Sequence, residues 1–189
     1  MKTVGVLALQ GAVTEHIQML ERSGVKGVAI KYPADLDEID GLIIPGGEST
    51  AISRLIQQNG LYEPIQRFAL SHPVMGTCAG LILCANDIVH SDGKVIPLEL
   101  MDMAVERNGF GRQIDSFETN LSVKTIGDDV PAVFIRAPFI QSVGENVDVL
   151  ATIDNKIVMA EQGNVLVMAF HPELTTDTRI VEYFIKKMM

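Results

Sequence analysis

Apolar and polar positions alternate along this chain in two rhythms. In the first half, short continuous apolar runs are separated by segments with helical spacing. Val4 to Leu9 is one such run, long enough for a buried parallel strand and too short for a helix. Gln10-Gly11 interrupts it, Val13, Ile17 and Leu20 then recur at helical intervals, and Ser23-Gly24 supplies a stop. Val28-Ala29-Ile30 predicts a second strand. Gly41-Leu42-Ile43-Ile44 predicts a third, ended by Pro45-Gly46-Gly47. Ala51, Ile52, Leu55 and Ile56 mark a helix beginning near Ala51, and Leu61, Ile65 and Phe68 mark another. Pro73-Val74-Met75 predicts a short strand running into Gly76-Thr77-Cys78-Ala79-Gly80, with a helix carrying Leu81 to Ala85 behind it. Alternating strands and helices predict an α/β fold with a mostly parallel sheet.

The second half changes rhythm. Phe117, Thr119, Leu121 and Val123 alternate with Glu118, Asn120, Ser122 and Lys124, the period of a half-exposed antiparallel strand. Val133-Phe134-Ile135, Val147 to Ala151, Lys156 to Glu161 and Val165 to Phe170 predict further strands, and Ile180, Val181, Phe184, Ile185 and Met188 a closing amphipathic helix. The sheet should therefore be mixed, with antiparallel additions late in the chain. Asp87 to about Asp115 is the least regular stretch and reads as a loop-and-hairpin insertion near a site.

With 189 residues, the chain suits one domain able to bury roughly 70% of its unfolded surface. Its 15 Lys and Arg against 24 Asp and Glu leave a net charge of −9. That disfavours a nucleic-acid partner and favours one with a basic docking face. Two cysteines, Cys78 and Cys84, make no disulfide framework and point to a reducing compartment. No apolar run approaches the ~18 residues of a membrane helix, and the opening run reads as a first strand rather than a signal peptide. A soluble cytoplasmic protein is expected.

Gly76-Thr77-Cys78-Ala79-Gly80 has the form G-x-nucleophile-x-G between a strand and a helix. Small neighbours permit the tight turn that exposes a nucleophile, the helix start favours a thiolate, and the Ala79 amide points where an oxyanion would form. The plainer alternative is a cysteine buried in a glycine-rich packing turn. A thiol nucleophile needs a base. His171 follows an apolar strand directly, at the edge where open α/β sheets build sites. In extended backbone Glu173 would share its face and orient the ring, as a third triad member does. His16, His72 and His90 read as surface or cap residues, and Cys84 as a packed helix residue. Pro45-Gly46-Gly47-Glu48-Ser49-Thr50 also lies between strand and helix. Its glycines let backbone amides approach a substrate, and Ser49 or Thr50 could cap the helix. It matches neither a P-loop nor G-x-G-x-x-G, so no nucleotide cofactor is implied. No metal-ligand spacing is visible, and the nine methionines read as core filler.

Taken together, and with Leu9-Gln10-Gly11-Ala12, Glu106-Arg107-Asn108-Gly109-Phe110-Gly111-Arg112 and Phe134-Ile135-Arg136-Ala137-Pro138, these motifs resemble the triad-type (class I) glutamine amidotransferases. Among these the resemblance is to the glutaminase subunits of pyridoxal 5'-phosphate synthases, and it runs from Val4 to the closing helix. It implies a three-layer α/β/α, flavodoxin-like sheet and a single amidotransferase domain over residues 1–189. It implies that Cys78, His171 and Glu173 hydrolyse L-glutamine to glutamate and ammonia through a thioester, without cofactor or metal. By the same resemblance Gly47, Glu48, Ser49, Arg107, Ile135 and Arg136 bind glutamine, while Gly46, Gly47 and Ala79 supply oxyanion amides. Gln10 then lies toward the partner interface, where it helps couple docking to activity. An arginine fork suits the substrate's α-carboxylate and a glutamate its α-ammonium. The implied partner is a separate (β/α)-barrel synthase subunit. It receives the ammonia through a tunnel and combines it with a pentose phosphate and a triose phosphate. Such a barrel takes ~250 residues and does not fit in this chain. Other readings are a glutaminase subunit feeding histidine, purine or aminobenzoate synthesis, a redox-sensing or chaperone-like α/β protein, and a binding-only subunit.

Overall fold

A computed structural model of the chain describes residues 1–110 and 116–189. Its first half follows the predicted alternation: β1 (Thr3–Leu7), α1 (Val13–Arg22), β2 (Lys26–Ile30), β3 (Gly41–Ile44), α2 (Ser49–Gln58), α3 (Tyr62–Ala69), β4 (Val74–Thr77) and α4 (Ala79–Cys84). The strands β3 and β4 are buried along their whole length, which is why, Thr77 apart, their sequences are runs of apolar and small residues rather than alternating ones. The remainder is β5 (Ala85–Ile88), β6 (Met101–Glu106), β7 (Ser116–Val123), β8 (Gly127–Ile135), β9 (Phe139–Val143), β10 (Asp148–Ile153), β11 (Lys156–Gln162), β12 (Val165–Met168) and α5 (Arg179–Lys186).

Ten strands form one mixed sheet in the order β2-β1-β3-β4-β12-β11-β9-β6-β5, with β10 paired to β11. The pairs from β2 through β12 are parallel. From β12 onward, the pairs β12–β11, β11–β9 and β9–β6 run antiparallel. The chain therefore returns from its last strand into the middle of the first sheet, beside β4. The consequence is local: residues that follow β1, β3, β4 and β12 emerge at the same carboxyl edge, side by side.

The irregular stretch differs from its sequence reading. It contains β5 and β6, which pair in parallel rather than as a hairpin, and so they lie in the main sheet at its far edge. Ala85, assigned from sequence to the helix, begins β5 instead. The true hairpin is β7–β8, a separate two-stranded sheet. The half-exposed alternation of β7 is as the sequence predicts. An aromatic stack docks this hairpin: Phe117 lies on Phe134 at 4.6 Å with the rings 7° apart, and Phe134 meets Phe170 at 5.5 Å. Phe110 meets Phe134 edge-on at 5.6 Å. Such pairs add to the burial of the rings themselves. Among the described residues no helix is long and apolar enough to cross a membrane.

Candidate active site

Cys78 stands between β4 and α4, at φ 51° and ψ −105°. A β-carbon is unwelcome in this left-handed region, at a cost of order 1–3 kcal/mol, so the turn holds the cysteine against its own preference. Its surroundings show how. The backbone N–H of Cys78 donates to the Met168 carbonyl at 2.9 Å, tying the turn to β12. A β-carbon on Gly76 would come within 2.6 Å of the Gly80 carbonyl oxygen, and one on Gly80 would overlap the Ile44 carbonyl. Both glycines are required by close backbone approach, as the G-x-C-x-G pattern implies. The Cys78 thiol faces the carbonyl oxygen of Ile135 at 3.8 Å.

His171 comes to the same place from the end of β12. Its backbone N–H donates to the Val133 carbonyl of β8 at 2.9 Å. Its Nδ1 is 2.6 Å from Glu173 Oε1, leaving Nε2 as the nitrogen available to the thiol. The backbone that brings this pair together is not the extended one expected from sequence. Pro172–Leu174 is a turn of 3-10 helix, with His171 as its N-cap at φ −112°. Proline, which starts such turns well, folds the carboxylate back under the ring. Burial alone would lower the His171 pKa. Hydrogen bonds to Cys78 and Glu173, and the charge of both, outweigh burial and raise it to about 10. Glu173 is buried, which opposes its ionisation, but its bond to His171 and the facing imidazole of His16 keep its carboxyl below the usual range.

The Gly46-Gly47 loop lies against this pair. A β-carbon on Gly46 would sit 2.6 Å from His171 Cε1 and 3.3 Å from Cys78 Cβ, so the site closes only around glycine. The Gly46 carbonyl accepts from the Ala12 N–H at 3.1 Å. A trans peptide sends its C=O and N–H in opposite directions, so the Gly47 N–H points away from Ala12. Gln10 Oε1 accepts from the Glu48 N–H at 2.7 Å. The segment after β1 thus holds the loop at two points. Ala79, the other expected oxyanion donor, opens α4 and is buried.

Glu48, Ser49 and Arg107 converge beside the loop. Arg107 Nη2 donates to Ser49 Oγ at 3.0 Å and to Thr50 Oγ1 at 3.4 Å, and lies 3.9 Å from Glu48 Oε1. The cap of α2 is Glu48 itself, not Ser49 or Thr50. Its carboxylate accepts from the amides of Thr50 at 3.0 Å and Ala51 at 2.7 Å, so α2 starts two residues earlier than expected. Slight burial opposes ionisation, but those two amides, the Thr50 hydroxyl and Arg107 hold the Glu48 carboxyl below the usual range. Ile135 ends β8 at the mouth of the site and Arg136 follows it, both exposed, Arg136 in the left-handed region at φ 45°. Of the segment Glu106 to Arg112, Gly111 and Arg112 lie outside the described residues.

His16 departs from its sequence expectation. His16, taken for a surface or cap position, is 1% exposed. Its Nε2 is 3.2 Å from Thr77 Oγ1 and 3.6 Å from Glu173 Oε2. The signal was present: His16 falls three residues after Val13 and four before Leu20, inside the apolar stripe of α1, where a polar side chain needs a partner. Burial lowers its pKa, and the nearby charge of Glu173 does not reverse that. Cys84, by contrast, is the packed residue expected, its thiol pushed up to about 12 by burial.

Known proteins place this arrangement. Residues 6–189 match the SNO glutamine amidotransferase family. The chain is 55% identical over 187 residues to the pyridoxal 5'-phosphate synthase subunit PdxT of Halalkalibacterium halodurans, covering 98% of this chain and 94% of that one. It is 50% identical over 186 residues to the protein of the same name from Actinobacillus pleuropneumoniae, covering 98% and 95%. A solved glutamine amidotransferase superposes with a TM-score of 0.93 at 41% identity, over 98% of both chains. The mixed sheet is accordingly the flavodoxin-like sheet of class I amidotransferases, and the chain belongs to the SNO glutamine amidotransferase family.

Proposed function

We propose that this chain is the glutaminase subunit of a pyridoxal 5'-phosphate synthase, working as a single domain over residues 1–189. The observation that carries the reading is the Cys78 elbow set against a His171 ring whose Nδ1 is fixed by a buried Glu173. The family match supplies the substrate class, and the names of the relatives supply the acceptor.

The Cys78 thiolate attacks the side-chain amide carbon of glutamine and forms the C–S bond. The carbonyl oxygen becomes an oxyanion, met by the Ala79 amide and an amide of the Gly46-Gly47 loop. His171 gives its proton to the departing nitrogen, the C–N bond breaks, and ammonia leaves a γ-glutamyl thioester. His171 then takes a proton from water, hydroxide adds to the thioester, and Cys78 departs as thiolate with glutamate released. A raised His171 pKa suits the first task, because the imidazolium is the proton donor. Arg107 offers donors to the substrate α-carboxylate, and Glu48 accepts from its α-ammonium. Gly47, Ser49, Ile135 and Arg136 line the same approach.

Ammonia passes to a separate (β/α)-barrel synthase subunit, which joins it to a pentose phosphate and a triose phosphate. The exposed Gln10 side chain holds the Glu48 amide, so a subunit docking on this segment bears directly on the oxyanion loop. Its glycines allow a peptide to change orientation at low cost. A cytoplasmic setting fits two unpaired thiols.

The test is ammonia release from L-glutamine with and without the synthase subunit. Stimulated release, together with pyridoxal 5'-phosphate formation from glutamine and the two sugar phosphates, is expected. Release indifferent to that subunit would assign the glutaminase to another acceptor enzyme, and no release in either condition would end the catalytic reading.

A further inference from the structure

The catalytic carboxylate is only half accounted for. Glu173 Oε1 is bonded to His171, but Oε2 is buried and has no hydrogen-bond partner among the described residues. A buried carboxylate oxygen left unmatched is costly, and a carboxylate held at one oxygen can swing about that bond. The group facing Oε2 is the imidazole of His16, with Nε2 3.6 Å away. That is just beyond hydrogen-bond length, and catalytic hydrogen bonds are often long until substrate is bound.

We propose that His16 is a positioning residue for the Cys78–His171–Glu173 site, its Nε2–H holding Oε2 of Glu173 so that the carboxylate keeps His171 aimed at the thiol. This rests on the glutaminase reading above.

The geometry selects the tautomer. Nε2 faces two oxygens, Thr77 Oγ1 at 3.2 Å and Glu173 Oε2 at 3.6 Å. With the proton on Nε2, the ring donates toward both. With the proton on Nδ1, a nitrogen lone pair would face a carboxylate oxygen in a buried site, which electrostatics disfavours. The charged groups around the ring are Glu173 and His171 across the site and Glu15 on the same helix. Burial favours the neutral ring over the charged one, and in that form it donates without adding a second cation beside His171. The anchors are rigid on both sides. Thr77 is the last residue of β4, one position before Cys78, and His16 is buried in α1. A ring wedged between the nucleophile's strand and the triad's carboxylate fixes one relative to the other.

The test uses the complex with the synthase subunit and L-glutamine as substrate. His16→Leu removes the donor and keeps apolar bulk. His16→Gln retains an N–H that can reach Oε2. The expected result for His16→Leu is a kcat lowered roughly tenfold, as for loss of a group that orients a catalytic pair, with KM within about twofold. The acid limb of its pH–rate profile should move to higher pH, because a carboxylate deprived of a donor protonates more readily. His16→Gln should recover most of the rate and return the limb toward wild type.

Equal losses in both variants with an unmoved limb would reduce His16 to packing, and an unchanged rate in His16→Leu would overturn the proposal outright. A measurement on the wild-type chain covers the case in which His16→Leu does not fold. The 15N shifts of His16 should report the neutral ring protonated on Nε2 above about pH 7. Protonation on Nδ1 would refute it. Failure of the glutaminase reading looks different: wild type would give no synthase-dependent ammonia, or Cys78→Ala would give as much as wild type, whatever the His16 tautomer.

Discussion

The proposed nucleophile side and the proposed substrate side of this site are built in opposite ways. Gln10, Gly46, Cys78 and His171 each follow a short strand, β1, β3, β4 and β12, and these four strands are neighbours in one parallel block. Each group is placed by its own strand and by backbone contacts a few ångströms long. The substrate side is assembled from pieces that share no element. Arg107 follows β6 at the far end of the sheet, Ile135 and Arg136 end a separate hairpin, and Glu48 and Ser49 open α2. What joins them is side-chain bonding, Arg107 to Ser49 and Thr50, and an aromatic stack under the hairpin. Backbone placement should make the first side stiff and intolerant. Side-chain placement should make the second adjustable, losing affinity by degrees.

Removing the thiol is the sharpest cut on the stiff side. Cys78→Ala should lower synthase-stimulated ammonia release by at least about a thousandfold, as loss of a nucleophile does, with little change in denaturant midpoint. Cys78→Gly should be equally inactive yet more stable than Cys78→Ala by about 1 kcal/mol, because glycine accepts the left-handed turn. Equal stabilities would show that the elbow stores no strain.

The aromatic stack tests whether the two sides are separable. Phe134 is 1% exposed and touches Phe110, Phe117 and Phe170. Phe134→Ala should cost about 3–5 kcal/mol by the usual arithmetic of a large buried ring, read from urea unfolding. Because the His171 N–H is held by Val133 of the same strand, alkylation of Cys78 by iodoacetamide should slow as well. An unaltered alkylation rate would mean the hairpin serves substrate alone.

Arg107→Ala should leave the thiol chemistry intact and weaken glutamine. A lost charge-assisted bond of about 1.5–3 kcal/mol corresponds to roughly a tenfold to hundredfold fall in kcat/KM, carried by KM. Arg107→Lys should recover only part, since an ammonium cannot reproduce the fork. A fall carried by kcat instead would place Arg107 with the catalytic groups.

The same contrast governs what could be read without coordinates. The parallel block was legible because its strands are short, mainly apolar runs closed by glycine or proline, and because the proposed site residues follow those runs directly. β5 and β6 were not. Ala85-Asn86-Asp87-Ile88 is short, with its two central residues exposed, and its parallel pairing with β6 across the intervening loop leaves no local trace. The cap of α2 was misassigned because a glutamate is not the usual capping residue, and here it gains two amide bonds and an arginine. Glu173 was placed by the right logic and the wrong backbone, since i and i+2 meet in a 3-10 turn as well. The stripe of α1 announces that His16 is buried, but not what it meets there, because its partners come from β4 and from the turn after β12.

The smallest expected effect separates the sides by pH. His16 has a folded pKa below its ordinary value of 6.5, because burial penalises the cation. Its contribution to stability is therefore complete above about pH 6.5 and is lost as pH falls toward the lower folded value, the unfolded chain binding the extra proton. Glu173, also depressed, contributes fully above its ordinary value of 4.5 and loses that contribution only below it. The acid slope between about pH 6.5 and 4.5 should then carry up to one proton from His16, and His16→Leu should flatten it. Glu48, depressed too but on the exposed substrate side, stays ionised below the ordinary carboxylate range. KM for glutamine should accordingly hold steady across the window in which stability is already falling. Urea midpoints and initial rates, measured on one pH series, decide this. If KM rises in step with the loss of stability, the charges that bind substrate and those that hold the triad titrate as one network, and the division between a stiff side and an adjustable side fails.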